Sequence, residues 1–207
     1  MIAIVDYKAG NLTSVKLALE YLGVPGMITR KPEEVLAADR VIFPGDGAAG
    51  SAMEHLNELA LVETLRTVVD RGTPTLGICL GTQVIFDFSE EDGGINCMGI
   101  MPGTVKRFRP SDPMCKIPQM GWNTMRFKVA HPLFNGLEDE SEFYFIHSYY
   151  PAPTNATHVV GETQYADVTF ASAVGRGSLF ATQFHPERSG RIGIRMLKNF
   201  TEWDGTC

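Results

Sequence analysis

The 207-residue chain lacks a long apolar run, and no stretch approaches the ~18 residues that a membrane-crossing helix needs. It has no excess of basic charge. Its 18 Lys and Arg against 24 Asp and Glu leave a formal net charge of −6, which disfavours a basic nucleic-acid-binding face. Cysteine is scarce: Cys79, Cys97, Cys115 and Cys207 are the only four. None forms a C-x-x-C pair or is accompanied by paired histidines, so neither a zinc site nor a disulfide framework is expected, and a reducing cytoplasm is the natural compartment. Asp6 and Lys8 interrupt the apolar N-terminal stretch where a secretory leader would continue it. The 21 Gly and 12 Pro are not gathered into a linker, and no repeat is visible, so a single domain over residues 1–207 is expected. At 44% hydrophobic residues with a modest net charge, disorder is excluded.

What is present reads first as alternating elements. IAIVD at the start, VIFPG at 41–45 and TLGI at 75–78 are short apolar runs typical of buried strands. Between them, Leu12, Val15, Leu19 and Leu22 keep helical spacing, with Gly23 placed to end that helix. Val62, Leu65, Val68 and Val69 do the same before Gly72. A further helix is expected from LGTQVIFDF, directly after Cys79. Such alternation predicts an α/β fold with a largely parallel sheet. The second half reads as strands at 122–129, 142–150, 157–165, 168–174 and 178–184. Ile192, Ile194, Met196, Leu197 and Phe200 then form a closing helix. The expected architecture is three-layered and flavodoxin-like, with a mixed, mostly parallel central sheet flanked by helices.

The chemistry concentrates in a few places. Gly77-Ile78-Cys79-Leu80-Gly81 stands between an apolar strand and a helix, which is the nucleophile-elbow pattern with cysteine as nucleophile. The bare pattern is equally consistent with a buried structural cysteine; the strand before and the helix after favour the nucleophile. A helix N-terminus there would favour the thiolate, and the N–H of Leu80 is placed to help hold an oxyanion. His185 follows another strand, with Pro186 and then Glu187, a carboxylate that could orient the imidazole. In isolation, a His-Pro-Glu segment is commonly a surface turn. Pro44-Gly45-Asp46-Gly47 could offer backbone N–H groups to an oxyanion. No G-K-[ST] follows, so it is not a phosphate-binding loop. His55 and His158 read as polar-surface residues, and His131 before Pro132 as structural.

Taken together, GICLGTQ at 77–83, QFHPE at 183–187 and PGDG at 44–47 resemble the class I (triad) glutamine amidotransferases. DYKAGNLTSV at 6–15 and IPQMGWN at 117–123 are similar to signatures of one branch, the glutaminase subunits of imidazole glycerol phosphate synthases. The resemblance runs over essentially the whole chain. It implies that Cys79 attacks the side-chain amide of glutamine, that His185 protonates the leaving ammonia and then activates water, and that Glu187 orients His185. Leu80 and the Gly45, Asp46, Gly47 strand would supply the oxyanion N–H groups. Gln83, His147, Ser148 and Tyr149 match substrate-binding positions. No cofactor or metal is implied. The ammonia would pass through a (β/α)8-barrel cyclase partner, which uses it to make imidazole glycerol phosphate in histidine biosynthesis.

The same resemblance places Asn11, Pro118, Gln119, Met120, Trp122 and Arg188 on the partner face. Three positions depart from the usual pattern. Asp46 stands where an apolar residue is common, and its side chain is expected to point away from the oxyanion. Gln119 replaces a frequent histidine, and Arg188 a lysine. Other glutaminases, such as the pyridoxal-phosphate synthase subunit, fit the Gly10-Asn11 turn and the Met120-Gly121-Trp122 loop less well. A stand-alone cysteine hydrolase or a vestigial binding module would share the elbow alone.

Overall fold

The computed structural model describes residues 1–8 and 10–206. Ala9, inside the D-Y-K-A-G-N-L segment, and Cys207 lie outside the described residues. The first half runs β1 (Ile2–Val5), α1 (Leu12–Tyr21), β2 (Gly26–Thr29), α2 (Pro32–Leu36), β3 (Arg40–Phe43), α3 (Ala49–Glu58), α4 (Leu61–Asp70), β4 (Thr75–Ile78) and α5 (Leu80–Val84). The second half runs β5 (Phe88–Ser89), β6 (Ile95–Asn96), β7 (Gly103–Arg107), β8 (Gln119–Phe127), β9 (Ser141–His147), β10 (Tyr149–Pro153), β11 (Val159–Tyr165), β12 (Val168–Arg176), β13 (Leu179–Thr182) and α6 (Gly190–Glu202).

Nine strands form one sheet in the order β2-β1-β3-β4-β13-β12-β11-β8-β9. From β2 to β13 every junction is parallel, and from β13 to β9 every junction is antiparallel. The sheet is thus mixed, as expected, but its parallel and antiparallel halves are equal; it is not mostly parallel. The reason is local. β11, β12 and β13 follow one another through two-residue turns, which permit only antiparallel pairing, and β8 and β9, joined by residues 128–140, also pair antiparallel.

Strand periodicity builds the three layers. Along β1, Ala3 and Val5 face one side, where Val35, Leu56, Leu65 and Val68 of α2, α3 and α4 cover them. Ile2 and Ile4 face the other, against Val15 and Leu19 of α1 and Leu197 and Phe200 of α6. β13 repeats the division: Leu179 and Ala181 join the first layer and Phe180 the second. This is the period-two rule applied to strands buried on both faces. α1 and α6 lie where their spacing placed them. Gly23 and Gly72, with φ +71° and +79°, end α1 and α4 in the left-handed conformation that favours glycine.

Four features depart from the sequence expectation. α5 stops at Val84, although apolar residues continue. The N–H groups of Met98, Gly99 and Ile100 bond the carbonyls of Val84, Phe86 and Ile85 at 2.7–2.9 Å, so a neighbouring segment takes the acceptors that further helix would use. The 142–150 run is two strands. β9 pairs with β8 in the main sheet, whereas β10 pairs with β7 in a second, four-stranded sheet of order β10-β7-β5-β6. The expected strand at 157–165 starts only at Val159, after a single 3-10 turn. Finally, β2, α2, α3 and the strands of the small sheet before β10 were not anticipated; most are too short to show periodicity.

Phe143 is fully buried on β9 and stacks on Phe184 with ring centroids 4.1 Å apart. We expect Phe143→Ala to lower stability by about 3–5 kcal/mol, read as a reduced urea midpoint.

Candidate active site

The site is built where β4 and β13 run side by side. They pair in parallel, with Ile78 opposite Thr182, so the residues following each strand emerge on one rim. Cys79 extends the pairing, since its N–H donates to the Thr182 carbonyl at 2.8 Å. The Thr82 hydroxyl donates to the same carbonyl at 2.6 Å. Cys79 has φ 52° and ψ −107°, a conformation costly for a side chain of its kind and typical of nucleophiles on sharp turns. The flanking glycines make that turn possible. A Cβ on Gly81 would come 1.9 Å from the Phe43 carbonyl oxygen, and one on Gly77 2.9 Å from the Ala181 Cβ.

His185 is fixed by the β9 edge. Its N–H donates to the Tyr144 carbonyl at 2.9 Å. Its carbonyl accepts from the Ser189 hydroxyl at 2.6 Å, and that oxygen accepts from the Tyr144 N–H at 3.0 Å. Nδ1 of His185 lies 2.7 Å from Glu187 Oε1, with both side chains buried. Nε2 is buried beside Cys79 and free of other partners. Burial would depress the imidazole pKa. The neighbouring Cys79 sulfur and the Glu187 carboxylate outweigh it and raise the value to about 10. Asn11, expected on the partner face, is half-buried and reaches this pair. Its amide donates to Glu187 Oε1 and lies 3.2 Å from His185 Nδ1.

A cleft of about 300 Å³ opens over Cys79 and His185. Leu80, Gln83, His147, Ser148, Tyr149, Asp46 and Gly47 line it, together with Pro118 and Arg188. The Tyr149 carbonyl organises one wall. Gln83 Nε2 donates to it at 3.1 Å, and His147 Nδ1 lies 2.7 Å from it. A carbonyl only accepts, so Nδ1 carries the proton. Burial lowers the His147 pKa to about 3, which keeps this ring neutral.

One backbone feature differs from the expected oxyanion pocket, and one side chain ties the loop beside it. The Leu80 N–H donates to the Gly45 carbonyl at 3.3 Å, so that donor is occupied in this arrangement. The Asp46 carboxylate accepts from the Gly10 N–H at 2.7 Å, which ties the loop to the turn that carries Asn11. The thiolate-favouring helix is also shorter than expected. With only five residues in α5, few peptide dipoles align behind Cys79.

On the outer rim, Pro118 and Arg188 are exposed, and Met120 and Trp122 are 62% and 55% exposed. Trp122 meets Tyr144 edge-on at 6.2 Å, and Arg188 lies over the Tyr144 ring at 5.9 Å. Gln119 does not belong with them. It is 2% exposed, because β8 alternation turns it inward, opposite His147. Glu91 also lines the cleft, and its Oε2 accepts from the Ala49 N–H at 2.6 Å. Burial raises its pKa. Sequence reasoning missed it because Glu90-Glu91-Asp92 looks like a solvated acidic turn. Gln183 was missed as well: it is fully buried and donates to the Cys79 sulfur. Among the described residues, no three His, Cys, Asp or Glu side chains gather into a metal site.

A cysteine on a strained elbow, beside a histidine whose far nitrogen is held by a carboxylate, is an arrangement that can carry thiol acyl transfer. The family model "Glutamine amidotransferase class-I" matches residues 3–203, and the chain belongs to that family. Curated relatives place it in the branch of the imidazole glycerol phosphate synthase subunit HisH. The subunit of that name from Moorella thermoacetica is 47% identical over 201 residues, covering 97% of this chain and 94% of the relative. The one from Dehalococcoides mccartyi is 46% identical over 200 residues, covering 97% and 96%. Among solved structures, a glutamine amidotransferase superposes with a TM-score of 0.75 at 20% identity, covering all of both chains. PurLQS from Thermotoga maritima gives 0.71 at 18% identity over 97% of each chain. At such identities these two establish the fold alone.

The His185 pKa of about 10, against an ordinary 6.5, has a definite sign. Stability from the protonated ring is complete below pH 6.5 and is lost as pH rises through 10. We expect ring NMR to show His185 protonated at neutral pH, with Glu187→Gln moving its midpoint down.

Proposed function

We propose that this chain hydrolyses glutamine to glutamate and ammonia, and passes the ammonia to a (β/α)8-barrel cyclase subunit that makes imidazole glycerol phosphate for histidine biosynthesis. The observation that carries the reading is the placement of Cys79 and His185 at the ends of adjacent parallel strands, with Glu187 2.7 Å from the far imidazole nitrogen.

In this reading the Cys79 sulfur attacks the side-chain amide carbon, and a carbon–sulfur bond forms as the carbonyl oxygen takes up charge. His185 Nε2 gives its proton to the departing nitrogen, and the carbon–nitrogen bond breaks to release ammonia. The neutral imidazole then takes a proton from water, whose oxygen displaces the sulfur and frees glutamate. Glu187 holds the ring and stabilises its cationic form. Asn11 braces both groups, which makes it a link between the dyad and the partner face. Glu91 supplies a negative wall for the substrate ammonium. Gln83, His147, Ser148 and Tyr149 shape the opposite wall.

The oxyanion needs the Leu80 N–H and an N–H from the 45–47 loop. The Gly45 carbonyl must first leave the Leu80 N–H, so the loop rests in a closed arrangement. Asp46 anchors that arrangement through Gly10. The partner docks on Pro118, Met120, Trp122 and Arg188, next to the same turn. Gln119 contributes from within, by filling the strand behind them. We further propose that residues 1–207 act as one domain, without a cofactor, in the cytoplasm. No helix of the described residues is long and apolar enough to cross a membrane.

Cys79→Ala is expected to abolish ammonia release while leaving partner binding intact; ammonia production by that variant would sink the nucleophile assignment. Asp46→Val is expected to raise glutamine hydrolysis several-fold in the absence of the cyclase, measured as glutamate formed. Trp122→Ala is expected to weaken the complex about tenfold or more in titration calorimetry, with the melting temperature of the free chain unchanged.

A further inference from the structure

The Cys79 sulfur has two polar neighbours besides His185. The Ile146 carbonyl lies 3.8 Å away, where it can accept from S–H. A carbonyl there favours the neutral thiol and opposes the ion needed for attack. The other neighbour is Gln183, whose Nε2 lies 3.6 Å from Sγ. Its side chain is 0% exposed, and its backbone N–H is bonded to the Ser172 carbonyl at 2.8 Å.

Oxygen and nitrogen of a glutamine amide are easily interchanged in assignment, but here the network settles which is which. The Tyr149 carbonyl can only accept, so the Gln83 atom 3.1 Å from it must be the NH2 group. That same NH2 lies 3.1 Å from the Gln183 amide. Two donors cannot face each other, so Gln183 presents its oxygen to Gln83. Its NH2 is therefore left for the sulfur. The chain of donors runs Gln83 to Gln183 to Cys79, anchored at one carbonyl.

We propose that Gln183 is a catalytic residue of this site, whose amide N–H holds the Cys79 sulfur in the ionised form. The proposal rests on the reading of Cys79 as nucleophile. It supplies what the five-residue α5 is too short to give. A hydrogen bond to an ion is worth more than one to a neutral group, so this contact acts on the thiolate far more than on the thiol. Among the described residues, His185 and the buried Tyr7 interact with the sulfur electrostatically, and Asp46, Glu91, His147, Tyr149 and Arg188 line the same cleft; none of these side chains hydrogen-bonds to Gln183.

The test measures the ionised sulfur directly, without glutamine turnover. The full chain is alkylated with iodoacetamide across a pH series, and modification of Cys79 is followed by peptide mass spectrometry. In Q183M, which keeps length and loses the donor, the rate at pH 7 is expected to fall about tenfold and to recover at alkaline pH. Q183E keeps the bond from Gln83 and puts a carboxylate on the sulfur, so its rate at pH 7 should also fall. In the complex with the cyclase, kcat should drop in both variants with the KM for glutamine unchanged. If Gln183 only packs, the melting temperature falls while the alkylation–pH curve stays put, and that result overturns the proposal. Should Q183M fail to fold, the isosteric Q183E carries the same test. A shifted curve in a protein that releases no ammonia even in the complex with the cyclase would uphold the Gln183 contact and count against the glutaminase reading, so the two can fail separately.

Discussion

The pairing of β4 with β13 is the constraint on which the rest of this molecule depends. The two strands are about a hundred residues apart in sequence, yet they lie in register, and the Cys79 N–H reaches the Thr182 carbonyl at 2.8 Å. Parallel strands present the same end to the same rim. The pairing therefore delivers a thiol and an imidazole to one place without either residue having to reach. It also sits at the boundary of the sheet, where parallel pairing ends and antiparallel pairing begins. The β9 edge, brought round by the antiparallel half, can then clamp His185 through Tyr144 and Ser189.

Around that pair, burial and neighbouring charges together decide which ring keeps a proton. Two histidines within one cleft are driven in opposite directions. His147 is buried with the Tyr149 carbonyl against it and the His185 charge nearby, so desolvation prevails and it stays neutral. His185 is also buried, but a sulfur and a carboxylate lie against it and keep the proton on. One ring is suited to moving protons and the other to accepting or shaping a contact. The Tyr149 carbonyl gives this wall its order, since it fixes the His147 tautomer and the orientation of the Gln83 amide together.

The site is also wired to the surface. Asn11 touches Glu187 and His185 from a turn whose Gly10 N–H holds Asp46. Arg188, one residue after Glu187, is exposed and reaches the Tyr144 ring beside Trp122. A protein docking on that face would press on the His185–Glu187 pair and on the 45–47 loop through single side chains. Asp46, a departure from the common apolar residue, adds a tether that an apolar side chain could not make.

Much of this was legible in the residue order. The G-I-C-L-G elbow announced a strand, a strained turn and a helix, because few sequences allow a carbonyl oxygen 1.9 Å from where a Cβ would be. His185 and Glu187 were readable as a pair because a single proline, Pro186, separates them. The helical spacing of α1 and α6 was plain, as each buries a single stripe. What was not legible depended on partners distant in sequence. Helix α5 ends early because residues 98–100 take its carbonyls, and the 142–150 run divides because its two halves find different sheets. Gln119 is inward because of strand register, Glu91 enters the cleft because α3 draws its carboxylate in, and Gln183 meets sulfur because β13 lies beside β4. The sequence by itself determined which atoms could do the chemistry, since thiol, imidazole and carboxylate are properties of residues. Only the tertiary structure decided the ionisation of the two cleft histidines, the hydrogen-bond orientations and the access to the site, because those are set by neighbours that the chain brings together from far apart.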